Sequence, residues 1–370
     1  MNTDFIEALN EIEREKGISK DILLDAIEAA LISSYKRNFN TAQNVRVDIN
    51  RETGVIKVFA RKTVVEETLD PRLEISLDAA REINPNYQLD DIVEIEVTPA
   101  DFGRIAAQTA KQVVTQRIRE AERGLIYEAF IDKEEDIVTG IVQRQDTRNI
   151  YVDLGKVEAV LPLNEVMPNE KFQQSERIKA YITRVENTTK GPQIFLSRTH
   201  PGLLKRLFEL EVPEIYEGVV EIKSVAREAG FRSKIAVYSR DEEVDPVGSC
   251  VGPKGMRVQT VVNELRGEKI DIVRWSEDVE EFVSNALSPA QVIEVIALEE
   301  EKVARVIVPD HQLSLAIGIK GQNARLAAKL TGWKIDIKSE SQRAEAELAR
   351  SREHQEAEES VQDGEQDAQL

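Results

Sequence analysis

The stretch that decides the fold is CVGPKGMRVQTVVNELRGEKIDIVRW, residues 250–275, because the chain repeats it as AIGIKGQNARLAAKLTGWKIDIKS, residues 316–339. The glycines of the two G-x-x-G loops match at an offset of 66 residues, and the K-I-D-I segments that follow match at an offset of 65. Each copy comes after one helical pattern and two alternating strand patterns. The sequence therefore predicts a unit of the form α-β-β-α-[G-x-x-G]-α-β, used twice.

A G-x-x-G loop between two helices suits the binding of a phosphodiester backbone. The missing side chains allow close approach, and the next helix directs free backbone amides towards a phosphate. Lys254 and Lys320, the third residue of each loop, add a positive charge. A single loop of this kind is more often the flexible turn of a plain helix-turn-helix. Two copies in the same context favour the KH module, whose loop clamps about four nucleotides of RNA.

Composition sets the class of protein. The chain has 370 residues, which predicts several domains, with one Cys and three His, too few for a disulfide framework or a structural zinc cluster. No apolar run is long enough to span a bilayer, so we expect a cytoplasmic protein with no membrane partner.

A net charge of −19 argues against binding to nucleic acid, but this charge is unevenly spread along the chain. Residues 1–133 hold 18 basic and 25 acidic residues, and residues 340–370 hold 3 and 10. The segments 134–200 and 201–339 carry only −1 and −4, so the acidic total does not exclude RNA from them.

The rest of the chain divides by its periodicity. Residues 1–125 alternate between helix and strand patterns, with Gly17 predicted to end the first helix and Gly124 the last, and read as an α+β domain. Residues 134–200 hold five short strand patterns, typical of a closed OB barrel. Residues 346–370 have few large apolar side chains and predict a disordered acidic tail, either a solvated spacer or an electrostatic competitor that shields a basic surface.

This order of domains resembles the NusA family of bacterial transcription termination/antitermination factors, over residues 1 to about 340. FGRIAAQTAKQVVTQRIREAER, residues 102–123, is similar to the linker helix of that family, and GPKGMR and AIGIKGQNARLA are similar to its two KH loops. The resemblance implies a multidomain α+β chain. Its first domain, residues 1–125, would bind RNA polymerase, and an S-one-type OB-fold barrel would follow at 134–200. Tandem type II KH domains would occupy 201–276 and 277–345, and the disordered acidic tail would occupy 346–370.

The same resemblance implies a function. It implies a monomer that binds RNA polymerase and nascent single-stranded RNA and modulates pausing, termination and antitermination, with other Nus antitermination factors as further partners. No cofactor, metal or enzymatic activity is implied. Some members carry two more acidic helical repeats after the second KH domain; this chain has a short tail there, so autoinhibition by such repeats is not implied.

Three groups of residues are predicted to contact RNA. In the KH pair they are the two loops and an arginine on each following helix: Gly252, Pro253, Lys254, Gly255, Arg257, Gly318, Ile319, Lys320, Gly321 and Arg325. In the barrel, Tyr151 is the predicted base-stacking aromatic, with Arg184, Phe195 and Arg198 as further candidates and Phe195 equally suited to a core. In the first domain, basic residues form a predicted patch for an RNA hairpin, the alternative being ordinary solvated charge: Lys36, Arg37, Arg61, Lys62, Arg104 and Lys111.

Two rival functions have some support in the sequence. Gly248-Ser249-Cys250-Val251-Gly252 superficially resembles the nucleophile elbow of hydrolases, but Asp245-Pro246 precedes it and His311 lies in the other copy, which favours Cys250 as a core residue. A KH plus S-one appendage of a phosphorolytic nuclease is the other rival, and this chain lacks room for the catalytic domains.

Overall fold

The computed structural model describes residues 2–39, 44–346 and 348, and these residues divide into two compact units. The first unit comprises the described residues up to 129 together with 188–192, and the second comprises the others. Of the predicted tail, residues 347 and 349–370 lie outside the described residues.

In the first unit, helices pack on one face of a four-stranded sheet. In chain order its elements are α1 (Asn2–Lys16), α2 (Lys20–Phe39), β1 (Asn44–Ile49), β2 (Ile56–Val65), β3 (Glu74–Ser76), α3 (Leu77–Ile83), β4 (Ile92–Glu96) and α4 (Phe102–Ile131), whose last two residues belong to the second unit. The long strand β2 pairs antiparallel with β1 and β4 and parallel with β3. Every second residue of β1 is buried, as a strand with one covered face requires, and these residues share a core with Leu23, Leu31 and Phe102 of the helices.

One of the two predicted helix ends is confirmed and the other is wrong. Gly17 has a φ of +68° and its N–H donates to the carbonyl oxygen of Glu13 at 3.0 Å, which ends α1. Gly124, in contrast, lies inside α4, which continues to Ile131. A glycine inside a helix costs only about 1 kcal/mol relative to alanine, so it does not end a helix by itself.

A closed five-stranded barrel follows, as predicted for the OB fold, and all of its strand residues except those within 188–192 belong to the second unit. Its strands are β5 (Ile137–Gln145), β6 (Asn149–Asp153), β7 (Glu158–Pro162), β8 (Arg177–Thr188) and β9 (Gly191–Ser197), and they close in the order β5-β6-β7-β9-β8. Ile150 and Val152 of β6 point inwards and are buried. Gly140 of β5 is required by this closure, because a Cβ at that position would lie 2.4 Å from Cγ1 of Val152.

Two copies of one α/β unit follow. The first consists of α5 (Pro201–Glu211), α6 (Pro213–Tyr216), β10 (Val220–Glu228), β11 (Arg232–Ser239), α7 (Pro246–Val251), α8 (Met256–Glu264) and β12 (Lys269–Arg274). The second consists of α9 (Val279–Ala286), β13 (Glu294–Leu298), β14 (Val303–Val308), α10 (Leu313–Ile317), α11 (Gln322–Thr331) and β15 (Lys334–Ser339). In each sheet the first two strands are antiparallel and the third lies parallel to the second. This shared topology confirms the predicted repeat and fits the type II KH arrangement.

The barrel and the two KH copies share buried side chains. Tyr181 of the barrel belongs to one apolar cluster with Leu204 and Phe208 of the first KH copy. Ala236 of the first copy belongs to a second cluster with Leu326 of the second copy. Shared apolar cores of this kind hold the three modules in one arrangement.

Candidate nucleic-acid interface

The two G-x-x-G loops have almost the same backbone conformation. Gly252 has φ and ψ of 73° and 175°, and Gly318 has 76° and 172°, a region that only glycine adopts readily. Lys254 and Lys320 both lie in the left-handed region with φ of 53°. The duplication of the sequence is thus a duplication of one loop geometry.

The two glycines of each loop have different surroundings. A Cβ on the first glycine would collide with the following helix, meeting Cγ of Arg257 at 2.6 Å in the first copy and the backbone nitrogen of Asn323 at 2.8 Å in the second. At the second glycine the space is open: a Cβ on Gly255 would have no atom within 4 Å, and one on Gly321 would meet only the Arg325 guanidinium at 4.0 Å. The first glycine is therefore needed for the loop to pack against the following helix, and the second leaves room for an approaching RNA strand.

The outer side of each loop is suited to an anion. Helices α8 and α11 begin directly after the loops and no side chain caps their amino ends. Lys254 and Lys320 are exposed, and their ammonium groups have no hydrogen bond or ion pair within the described residues. Ile319 is 85% exposed, so the second loop also presents an apolar surface beside its lysine. Partial positive charge at the helix ends and a free ammonium group favour phosphate.

The predicted arginines hold the loops in place. Arg257 is partly buried, and its Nη1 donates to the carbonyl oxygen of Ser249 at 2.7 Å and to the carboxylate of Glu214 at 2.9 Å. Nε of Arg325 donates to Glu228 at 2.6 Å, and its Nη1 donates to the carbonyl oxygen of Lys320 at 3.2 Å. Contact of either guanidinium with a phosphate stays a prediction, and in this structure both are engaged by protein acceptors.

Arg257 and Arg325 are also not equivalent in the repeat. The offset of 66 places Arg257 opposite Asn323, and the Asn323 amide donates to the carbonyl oxygen of Ala316 at 3.1 Å, much as Arg257 donates to Ser249. The same loop is thus held by a guanidinium in one copy and by an amide in the other.

On the barrel, the structure brings three of the predicted residues together. Tyr151 of β6 pairs in register with Val160 of β7, which pairs with Phe195 of β9, so both rings lie in one row on the outer surface. The Arg184 guanidinium lies 4.2 Å from the centre of the Phe195 ring. Phe195 is half-buried on this outer face, which corrects its alternative assignment to the barrel core. Aromatic rings with adjacent guanidinium groups can stack bases. Contact of the Arg184 guanidinium with a phosphate stays a prediction, because its Nη1 lies 2.9 Å from the carboxylate of Glu186.

Sequence reasoning missed Arg144, which occupies the matching position over Tyr151. Its guanidinium lies 3.5 Å from the centre of the Tyr151 ring, and the Tyr151 hydroxyl donates to Asp146 at 2.9 Å. A register shift between Val142 and Arg144 in β5 brings Arg144 opposite Tyr151. A simple alternation of polar and apolar residues does not show such a bulge.

The assignment of Arg198 to RNA is wrong. The side chain is 2% exposed, and its guanidinium donates to Glu170 at 3.0 Å, to the carbonyl oxygen of Lys179 at 2.6 Å and to Glu264 at 3.0 Å. Glu170 and Lys179 belong to the barrel region and Glu264 to α8, so Arg198 joins the barrel to the first KH copy. Its donors are used inside the protein and it offers no surface to a strand.

Four of the six residues of the predicted hairpin patch in the first unit are exposed. Lys36 and Arg37 are exposed near the end of α2, and Arg104 and Lys111 are exposed two turns apart on α4.

Arg61 and Lys62 depart from this pattern. As neighbours on β2 they point to opposite faces; Arg61 lies 3.5 Å from Glu94, and the Lys62 ammonium donates to the carbonyl oxygen of Pro71 at 2.6 Å. The α2 and α4 residues therefore remain the better candidates.

Cys250 is a core residue, as the sequence favoured. It is fully buried, and burial raises the pKa of its thiol to about 12. A protonated, enclosed thiol is a poor nucleophile, so the elbow hypothesis lacks its reactive group. No cluster of metal-ligating side chains occurs within the described ranges, and no helix found there is long and apolar enough to cross a membrane.

Comparison with known proteins assigns a family to each part of the chain. Residues 4–124 match the model of the NusA N-terminal domain, and residues 131–197 match that of the S1 RNA binding domain. Residues 198–275 and 279–345 match the NusA-like first and second KH domains. The chain is 75% identical over 348 residues to the transcription termination/antitermination protein NusA of Halalkalibacterium halodurans, covering 94% of this chain and 91% of that protein.

The chain belongs to the NusA family. The NusA protein of Bacillus subtilis is 72% identical to it over 341 residues, covering 92% of each chain. The solution structure of the NusA N-terminal domain from B. subtilis shares 70% identity, covers 33% of this chain and 99% of that one, and gives a TM-score of 0.31. The NusA relatives are named as transcription factors and not as enzymes.

Proposed function

We propose that this NusA-family chain is a transcription termination/antitermination factor that binds RNA polymerase and holds nascent single-stranded RNA on its barrel and KH loops. The duplicated G-x-x-G loop carries this proposal, because both copies present an uncapped helix end, an open second glycine and a lysine that is unpaired among the described residues. The names of its relatives support the role in termination and antitermination.

The proposal includes a division of labour along the chain. Residues 1–125 bind the polymerase, the barrel at 134–200 stacks bases on Tyr151 and Phe195, and the KH domains at 201–276 and 277–345 clamp the RNA backbone. We further propose a cytoplasmic monomer that works with other Nus antitermination factors. Because the two RNA-binding segments have little net charge, we expect modest and salt-sensitive RNA affinity.

The test reverses the loop charges in the full chain. Lys254→Asp with Lys320→Asp should weaken the binding of a labelled single-stranded RNA, measured by fluorescence anisotropy. Loss of two phosphate contacts should also reduce the slope of log affinity against log salt by about 1.4, taking roughly 0.7 per contact for single strands. Aspartate tolerates the left-handed backbone of these positions, so the loops should still fold.

Lys302→Asp is the matched control. Lys302 is an exposed lysine in the left-handed region, with φ of 49°, in the turn between β13 and β14. Its reversal should leave RNA affinity unchanged. Equal affinities for the control and the double loop variant would refute the proposed role of the loops.

The first-unit patch needs a separate test with purified polymerase. Arg104→Glu with Lys111→Glu should shorten hairpin-dependent pauses in a transcription assay, and Arg72→Glu, an exposed charge of the same unit, should not. Pauses that keep their length in the double variant would assign these residues to ordinary solvated charge.

A further inference from the structure

The two KH sheets have equivalent outer faces. In the first copy Ala226, Lys234 and Asp271 lie side by side across the three strands, and the next row includes Ala236 and Val273. In the second copy the corresponding row is Ile296, Arg305 and Asp336, and the next includes Ile307 and Lys338. Strand order and direction are the same in both sheets, so each residue of one face has a counterpart on the other.

In the first copy this face is covered. Ala226, Ala236 and Val273 are buried in the same cluster as the side chains of the second copy. Lys234 is fully buried, and its ammonium donates to Asp271 at 3.0 Å and to the carbonyl oxygen of Ser288 at 2.8 Å. Ser288 lies just after the end of α9, the helix that follows β12. The Lys234 ammonium thus donates a hydrogen bond to a backbone oxygen of the chain segment that follows the third strand.

In the second copy the same face is only partly covered, because Ile307 is buried but its neighbours on the face are not. Ile296 is 39% exposed, and Arg305, the counterpart of Lys234, is exposed with no hydrogen bond or ion pair in the described part of the chain. These two residues, together with Ile307, Asp336 and Lys338, line a groove of about 200 Å³. The first copy buries the corresponding part of its sheet face. The second copy leaves Ile296 exposed there, beside an arginine that has no acceptor among the described residues.

The chain after β15 turns towards this groove. Residues 340–346 are helical, the Ser341 hydroxyl donates to Asp310 at 2.8 Å, and Arg343 pairs with Glu294 at the start of β13. Ala346 lines the groove itself. The next 24 residues, 347–370, contain eight acidic and two basic residues, which is the charge that Arg305 and Lys338 would attract.

We propose that the acidic segment 347–370 docks on the exposed part of this sheet face in the second KH copy, its carboxylates pairing with Arg305 and Lys338. The segment begins eight residues after the end of β15, so it includes the place in sequence that Ser288 has fourteen residues after the end of β12. It directly follows Ala346, which lines the groove. Because it is covalently attached there, its effective concentration at the groove is high and weak contacts suffice. In this arrangement the G-x-x-G loops remain open to RNA. Docking on the sheet face therefore differs from the other model of the tail, in which it competes with RNA for a basic surface.

Paramagnetic broadening in the full chain tests the proposal. The buried Cys250 with its raised pKa does not react, so a nitroxide can be attached selectively at Gln362→Cys. We expect the methyl signals of Ile296 and Ile307 to lose at least half their intensity relative to the reduced label, and those of Ile49 in the first unit to keep theirs. Arg305→Glu with Lys338→Glu should restore both signals.

The matched control makes the same charge change elsewhere on the second copy. Lys302→Glu with Lys320→Glu should leave the broadening intact; if it abolishes the broadening instead, the tail contacts the loop region and the proposal is wrong. Ile296 and Ile307 signals that keep full intensity in the labelled chain overturn it as well. If single-stranded RNA shifts these methyl signals while the label does not broaden them, the face is an RNA site and not a tail site. Unchanged methyl positions elsewhere show that each variant is folded.

Discussion

The two glycines of one loop should respond differently to the same substitution. Gly318→Ala places a methyl group 2.8 Å from the backbone nitrogen of Asn323, at a φ of 76° and a ψ of 172°. Gly321→Ala places it in open space, at a φ of 74° and a ψ of 16°. The two variants are three residues apart, in the same loop and with the same chemical change. Any difference between them therefore reports the local geometry.

The magnitudes follow from the backbone region and the clash. An alanine in the left-handed region costs about 1–2 kcal/mol, and the loss of unfolded-state freedom returns about 0.4–1 kcal/mol. Gly321→Ala should therefore lower the free energy of unfolding by about 1 kcal/mol or less. Gly318→Ala adopts a region whose strain is about 1–3 kcal/mol, and it must also displace the first turn of α11, so we expect a loss of at least about 2 kcal/mol. The gap of at least about 1 kcal/mol is a difference of about fivefold or more in the unfolding equilibrium.

Tryptophan fluorescence reports this unfolding selectively. The chain has two tryptophans, Trp275 and Trp333, and both pack against the apolar cluster that the two KH copies share. Urea midpoints followed by this signal should rank wild type, Gly321→Ala and Gly318→Ala in decreasing order. RNA affinity should fall in Gly321→Ala although its fold is nearly unchanged, because its methyl lies where the strand approaches. A midpoint for Gly318→Ala equal to or above that of Gly321→Ala would refute this account of the loop.

Three further predictions concern buried and paired groups. Arg198→Met should destabilise the second unit by about 3–5 kcal/mol in calorimetry, because it leaves Glu170 buried without a partner. Adding Glu170→Met should restore most of the lost stability. A single variant as stable as the wild type would contradict this. The hydrogen bond from Arg325 lowers the pKa of Glu228 below its ordinary value near 4.5. The ionised Glu228 therefore contributes its full stabilisation at a pH above 4.5, and this stabilisation is lost as the pH falls through the lowered pKa. Glu228→Gln should therefore lower the urea midpoint at pH 7 but much less at pH 3, and an equal effect at both would argue against the ionic pair. Cys250, with its pKa of about 12, should be alkylated at pH 8 only after urea is added, as followed by mass spectrometry; fast labelling of the native chain would show that its burial is incomplete.

The features predicted correctly from sequence depend on short stretches of chain. The repeated G-x-x-G loops, the five barrel strands and the end of α1 at Gly17 are each encoded within a few neighbouring residues, by glycine placement or by a period of two. The continuation of α4 through Gly124 was missed because a lone glycine weakens a helix only slightly.

The features that were missed depend on residues far apart in the chain. Arg198 has the local setting of a strand-end arginine, and only folding brings Glu264, 66 residues later, to its guanidinium. Arg325 likewise meets Glu228 from 97 residues away. A bulge places Arg144 over Tyr151, and a periodic pattern contains no sign of it.

The sequence by itself determined which modules this protein contains and where its two G-x-x-G loops lie, because a backbone conformation that favours glycine is encoded by the residue at that position. Tertiary structure alone decided which cations are free to meet RNA. A guanidinium or ammonium group is available only if no acceptor from another element satisfies it, and the acceptors of Arg198, Arg257 and Arg325 come from distant parts of the fold. Lys254 and Lys320 remain available because, among the residues that the structure describes, no carboxylate pairs with either ammonium group.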